Sequence, residues 1–168
     1  GRPCDVVVIK NDKRFSPDPE LKAPVIESKA DFLAAVQASG LVGLGGAGFP
    51  THIKLNPPAD KKIDYLLVNG MECEPYITSD DWLMQNRAEL IFRGITEVLR
   101  WCEIPQCIIG LEDNTPEAYK AMQNVWATRP DTDKIKIVSL PAVYPQGAEK
   151  VLITSLTGRK VPPKSLPH

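Results

Sequence analysis

The sequence predicts an α/β domain built on a mostly parallel sheet, and three observations carry that expectation. Short apolar, strand-forming runs (Asp64–Val68, Gln106–Leu111 and Lys134–Leu140) alternate along the chain with segments of helical spacing. The first of these runs is continuously apolar, as in a strand buried on both faces. The connections are short and marked by helix-start and helix-stop residues, as in units that wind strand, helix, strand.

Each element has a local reason. Asp5–Ile9 reads as a short β-branched strand, and residues 10–24, with Pro17, Pro19 and Pro24, as an extended connector. Ser28 followed by Asp31 is a near match to a capping box, opening a helix that carries Phe32, Leu33, Ala35 and Val36 and stops at Gly40. Thr78 or Ser79, followed by Asp80 and Asp81, opens the longest helix, which runs to about Trp101. Its apolar positions Leu83, Leu90, Ile91, Ile95, Val98 and Leu99 fall near helical spacing. Thr115 and Pro116 start a further helix with proline in its first turn. The last helix covers Gln146–Leu156 and is closed by Gly158.

Composition narrows the function classes. A chain of 168 residues with 43% hydrophobic and 24% charged residues suits one globular domain with a substantial core. The net charge of −1, from 20 basic and 21 acidic residues well mixed along the chain, argues against a nucleic-acid surface. No apolar run approaches the ~20 residues a membrane helix requires, and no signal-peptide pattern opens the sequence. Cys4, Cys73, Cys102 and Cys107 form no C-x-x-C pair and match neither zinc nor iron–sulfur spacing, which points to reduced cysteines in a cytosolic domain. His52 and His168 are too scattered for a metal site, and Trp82, Trp101 and Trp126 read as core or interface residues. The abrupt ends of the sequence suggest one domain of a longer protein.

The chemistry-bearing segments are three. The run Gly43-Leu44-Gly45-Gly46-Ala47-Gly48-Phe49-Pro50-Thr51 leaves backbone bare enough to lie against a ligand, and Lys54 adds a cation suited to a phosphate. Gly43, Gly45 and Gly48 also satisfy G-x-G-x-x-G. The dinucleotide reading of that spacing needs a strand before the loop and a helix after it, whereas here a helix precedes it and Pro50 follows at once. The second segment, Asn69 to Pro75, leaves the C-terminal end of the apolar strand, where ligands of open α/β sheets gather. Asn69 can bond a heterocycle edge, while Glu72 and Glu74 suit ribityl or ribose hydroxyls; the structural alternative is a polar turn before a helix. The third segment, Tyr144–Lys150, opens a helix and taken alone is a capped helix start.

Together these segments resemble the flavin- and NADH-binding subunits of respiratory complex I. The residues Glu72–Asp81, Gly110–Asn114 and Tyr144–Gly147 are closer still to the C subunits of Rnf-type electron transport complexes. The similarity runs from about Lys29 to Pro163. It implies a Rossmann-like, three-layer α/β domain over residues 28–163, after an N-terminal strand and connector over 1–27 and before a tail over 164–168. By position, Gly43, Gly45 and Gly46 would line FMN and Gly48 would shape the turn. Lys54 would meet the FMN phosphate, and Asn69 and Glu72 the flavin and its ribityl chain. Phe49 and Glu74 match NADH-contacting positions, and Tyr144, Gly147 and Glu149 a later flavin/NADH loop.

The implied function is FMN- and NAD(H)-dependent electron transfer in a peripheral subunit on the cytoplasmic side of a bacterial membrane, with no catalytic side chain. The implied partners are the other subunits of the complex and, indirectly, ferredoxin. The 4Fe–4S clusters of the family belong to a C-terminal part outside this sequence. The alternative is a docking domain of the same fold that has lost nucleotide binding. It is favoured by Leu44, Met71 and Ala148, where complex I relatives carry arginine, an acid and glutamate. A free-standing sugar-phosphate sensor rests on the glycine loop alone.

Overall fold

The computed structural model describes residues 5–14, 16–44 and 47–166. Its centre is a three-stranded parallel sheet in the order β1 (Tyr65–Gly70), β2 (Gln106–Glu112), β3 (Ile135–Leu140). The register places Asn69 beside Gly110, and Gly110 beside Val138. Strand β2 is central and buried from Cys107 onward, whereas β1 and β3 are half-buried edges of this sheet.

Side chains alternate across β2 and so define the layers. Cys107, Ile109 and Leu111 face the main core, which they share with Met84, Ala88, Phe92, Ile95 and Leu99 of α3 (Ser79–Trp101), Ala118 and Met122 of α4 (Pro116–Ala127), and Ile135 of β3. On the opposite face, Gly110 lies against α5 (Glu149–Thr157). A β-carbon there would sit 3.2 Å from Leu152 and 3.4 Å from Leu156, so glycine lets α5 approach the sheet. Helices on both faces of a parallel sheet are the three-layer arrangement expected from the sequence.

Helix α3 contains a break in helical geometry at Arg87 (φ −136°, ψ 24°). Its buried stripe, 84, 88, 92, 95 and 99, keeps i+3/i+4 spacing, but it is not the stripe predicted from the sequence. Ile95 and Leu99 belong to both, whereas Leu83 and Leu90 are exposed and Phe92 is fully buried. The helix ends follow the predicted chemistry. The Ser28 hydroxyl accepts from the Asp31 amide at the start of α1 (Lys29–Ala38), and Gly158 closes α5 at φ +71°.

Two elements depart from expectation. Asp5–Ile9 forms neither strand nor helix, and its valines are largely exposed, because a β-branched run becomes a strand only when a neighbouring strand takes up its backbone groups. A four-residue helix, α2 (Thr51–Lys54), follows Pro50 directly, too short to leave a periodic signature.

Candidate functional site

The predicted site residues fall into two groups. In the first, a small hydrogen-bonded stem displays the glycine run. The Gly43 amide donates to the Phe49 carbonyl at 2.9 Å, the Thr51 amide donates to the Leu41 carbonyl at 3.1 Å, and Val42 and Pro50 form an antiparallel bridge. Gly48, at φ +59°, turns the tip. Gly45 and Gly46 lie outside the described residues. A β-carbon at Gly43 would meet nothing closer than 3.8 Å, and one at Gly48 would meet nothing within 4 Å. A side chain at Gly43 would thus rest in ordinary contact with the Phe49 backbone, and among the described residues nothing fills the space beside Gly48. Leu44 is almost fully exposed, Phe49 is about half exposed (49%), and Lys54, the last residue of α2, is exposed without a salt bridge among the described residues.

The unit carrying this stem is fastened to the C-terminal end of α3. The Phe32 ring stacks on Trp101 with centroids 6.5 Å apart, and the Cys102 thiol donates to the Leu55 carbonyl at 3.7 Å.

The second group gathers at the C-terminal ends of the strands. Asn69 donates through Nδ2 to the Gly147 carbonyl at 2.9 Å and accepts at Oδ1 from the Met71 amide at 3.1 Å. The Gly147 amide donates to Cys73 Sγ at 3.0 Å, and the Cys73 thiol reaches Glu112 Oε1 at 3.5 Å. Here glycine serves close packing: a β-carbon on Gly147 would lie 3.1 Å from Cys73 Sγ, from Met71 Cβ and from the Met71 carbonyl oxygen.

Glu72 binds inside the chain, accepting from the Asp80 amide at 2.9 Å, the Asp81 amide at 3.1 Å and the Ser79 hydroxyl at 3.3 Å. It thus supplies the N-terminal cap of α3 that the Thr78 side chain does not, where the helix dipole favours negative charge. Crowding has a cost next door: burial, and then the Glu72 charge, raise the pKa of Asp80. Tyr144, Glu74 and Glu149 are exposed at the rim.

Among the described residues, no hydrogen bond or salt bridge joins the two groups. The cleft of about 460 Å³ lined by Gln85–Leu90, Ala121 and Val125 lies at the α3 break, away from both. Glu112 is the site residue that the sequence reading did not single out. It is buried (6% exposed) on the α5 side of β2, and its signal is an acid directly prolonging an otherwise apolar central strand.

A family model described as the Nuo51 FMN-binding domain matches residues 36–168. The chain belongs to that family. Among its relatives is the C subunit of the proton-translocating ferredoxin:NAD(+) oxidoreductase complex of Clostridium ljungdahlii, 42% identical over 83% of this chain and 30% of that protein. The C subunit of the Na(+)-translocating ferredoxin:NAD(+) oxidoreductase complex of Acetobacterium woodii is 43% identical over 96% of this chain and 36% of that protein. The C subunit of the ion-translocating oxidoreductase complex of Pseudomonas aeruginosa is 41% identical over 99% and 21%. The chain therefore spans about a fifth to a third of the length of these relatives. Among solved structures, a NAD+-reducing NiFe-hydrogenase in the H2-reduced state superposes with a TM-score of 0.62 at 28% identity, covering 80% of this chain and 26% of that one.

Within a Nuo51 FMN-binding domain, the two groups divide the glycines by use. At Gly110 and Gly147 the chain itself occupies the space, whereas a β-carbon at Gly43 would make only ordinary contact and one at Gly48 would meet no described residue within 4 Å. A bare stem, a neighbouring cation and a half-exposed ring are a donor set that fits a phosphorylated aromatic cofactor.

Proposed function

We propose that this chain is the FMN-binding domain of the C subunit of an ion-translocating ferredoxin:NAD oxidoreductase, passing electrons between NAD(H) and iron–sulfur clusters elsewhere in the subunit. The observation that carries the reading is the family match over residues 36–168, supported by the space that the described residues leave at Gly48 and by the exposed Lys54 at the end of α2. Bound FMN would supply the exchange between two-electron hydride chemistry and one-electron transfer.

The chain's own residues orient and neutralise. Lys54 would place a positive charge for the phosphate, and Gly43, Gly45, Gly46 and Gly48 would offer positions without side chains. Asn69 and Glu72 hold the strand-end loops in shape and keep spare lone pairs for hydroxyls of the ribityl chain. Phe49, Glu74, Tyr144 and Glu149 form the exposed rim against which NAD(H) would lie. No side chain is needed as acid or base.

The protein would sit on the cytoplasmic side of the membrane, held by its partners. Among the described residues no helix is long and apolar enough to cross a membrane. The units are taken as residues 1–27, 28–163 and 164–168.

The test is an FMN titration of the whole subunit, read by flavin fluorescence, with riboflavin as the phosphate-free control. Saturable binding that prefers FMN supports the reading, and its absence favours a docking domain. Lys54→Ala should weaken FMN binding by about 1.5–3 kcal/mol, the value of a charge-assisted hydrogen bond, and leave riboflavin affinity unchanged. Equal FMN affinity in this variant would remove Lys54 from the phosphate site.

A further inference from the structure

Gly147, in the loop after β3, is held at both of its backbone polar groups by side chains from the end of β1 and from the loop that follows it. Asn69 donates to its carbonyl, and Cys73 accepts from its amide. These two loops leave β1 and β3, which are not neighbours, because β2 lies between them. They meet across the end of β2, where the strand terminates in the buried Glu112.

The Cys73 sulfur is the joint of this bridge, taking the Gly147 amide on one side and donating its proton to the Glu112 carboxylate on the other. Burial raises the thiol pKa against the opposing effect of the Gly147 amide, and the Glu112 and Glu74 carboxylates raise it further, so the thiol keeps the proton this arrangement needs. Tyr144, before Gly147 in the same loop, and Glu149, at the start of α5, are exposed at the rim.

We infer that Cys73 is a positioning residue for the cofactor site, clamping the Tyr144–Gly147 loop over the end of the sheet through its paired contacts with the Gly147 amide and Glu112. The inference rests on the flavin reading above. Serine keeps both a donor and an acceptor at this position, and alanine keeps neither.

Two measurements on the whole subunit test the clamp: backbone amide exchange of the 144–148 segment without flavin, and the FMN dissociation constant. Cys73→Ala is expected to speed exchange in that segment and to weaken FMN binding, each by roughly three- to tenfold. Cys73→Ser is expected to restore both. Glu112→Gln should fall between them, since the amide still accepts the thiol proton.

Unchanged exchange in Cys73→Ala overturns the clamp. Faster exchange with unchanged FMN affinity, or failure of serine to rescue, overturns the positioning role while leaving the flavin reading intact. A wild-type protein that binds no FMN overturns the flavin reading, and the positioning role with it, whatever the exchange shows.

Discussion

Phe92→Ala should lower the free energy of unfolding by about 3–5 kcal/mol, the range for removing a buried aromatic ring from a close-packed core. Phe92 is fully buried within the stripe Met84, Ala88, Phe92, Ile95 and Leu99, which seals α3 against β2 and α4. Its ring also lies 5.3 Å beneath the Arg129 guanidinium, which is itself fixed by Asp131 at 2.9 Å and by the Thr96 hydroxyl at 2.7 Å. The surroundings are thus poorly placed to collapse into the vacated volume. A domain of this size is stable by only about 5–15 kcal/mol, so the loss is a large fraction of the total. Leu90→Ala, on the same helix but 55% exposed, should stay within about 0.5 kcal/mol of wild type. Chemical denaturation of the two variants side by side is the check. Similar losses at the two positions would mean that α3 presents a different face to the core.

The comparison of Phe92 with Leu90 also shows where the sequence was legible. Strand and helix identities followed from patterns of period two and 3.6 and from local stop signals: Ser28, Pro116 and Gly158 do in the structure what their chemistry predicts. The face that α3 turns inward did not follow. Leu83, Leu90 and Ile91 compete with Met84, Ala88 and Phe92 as a stripe of similar apolarity, and only the neighbouring β2 and α4 decide between them.

The site was half legible for a related reason. Asn69, Gly147 and the glycine run stand out by residue type, but their couplings join residues 78 and 74 positions apart. From sequence alone Glu72 suits either a ligand hydroxyl or a polar turn before a helix; it caps a helix that begins seven residues later, beyond the three-residue span of the local capping rule. Glu112 closes an apolar strand, and its partner Cys73 lies on another loop, 39 positions away. Spacing along the chain encodes none of these meetings; the parallel register of β1, β2 and β3 brings together those of Asn69, Cys73, Glu112 and Gly147.

Gly147→Ala should destabilise the domain by about 1–3 kcal/mol, the usual cost of forcing a methyl group into filled space. Gly147 is not among the positive-φ glycines, so the effect is steric and not conformational. The new methyl would stand 3.1 Å from three atoms at once, Cys73 Sγ, Met71 Cβ and the Met71 carbonyl oxygen. Two of these belong to the chain around Met71, which is itself buried and tied to Asn69 through its amide. Relief must come from separating the two loops, which stretches the Asn69 and Cys73 bonds to Gly147 together. Gly43→Ala makes the opposite expectation: its methyl would rest in ordinary contact, 3.8 Å from the Phe49 backbone, so stability should hold while the stem proposed to carry the cofactor gains a side chain. Denaturation midpoints and FMN titrations of both variants separate the two uses of glycine. Wild-type stability in Gly147→Ala would show that the loops are not in contact as described. A Gly43→Ala variant with full FMN affinity would move the cofactor away from the stem.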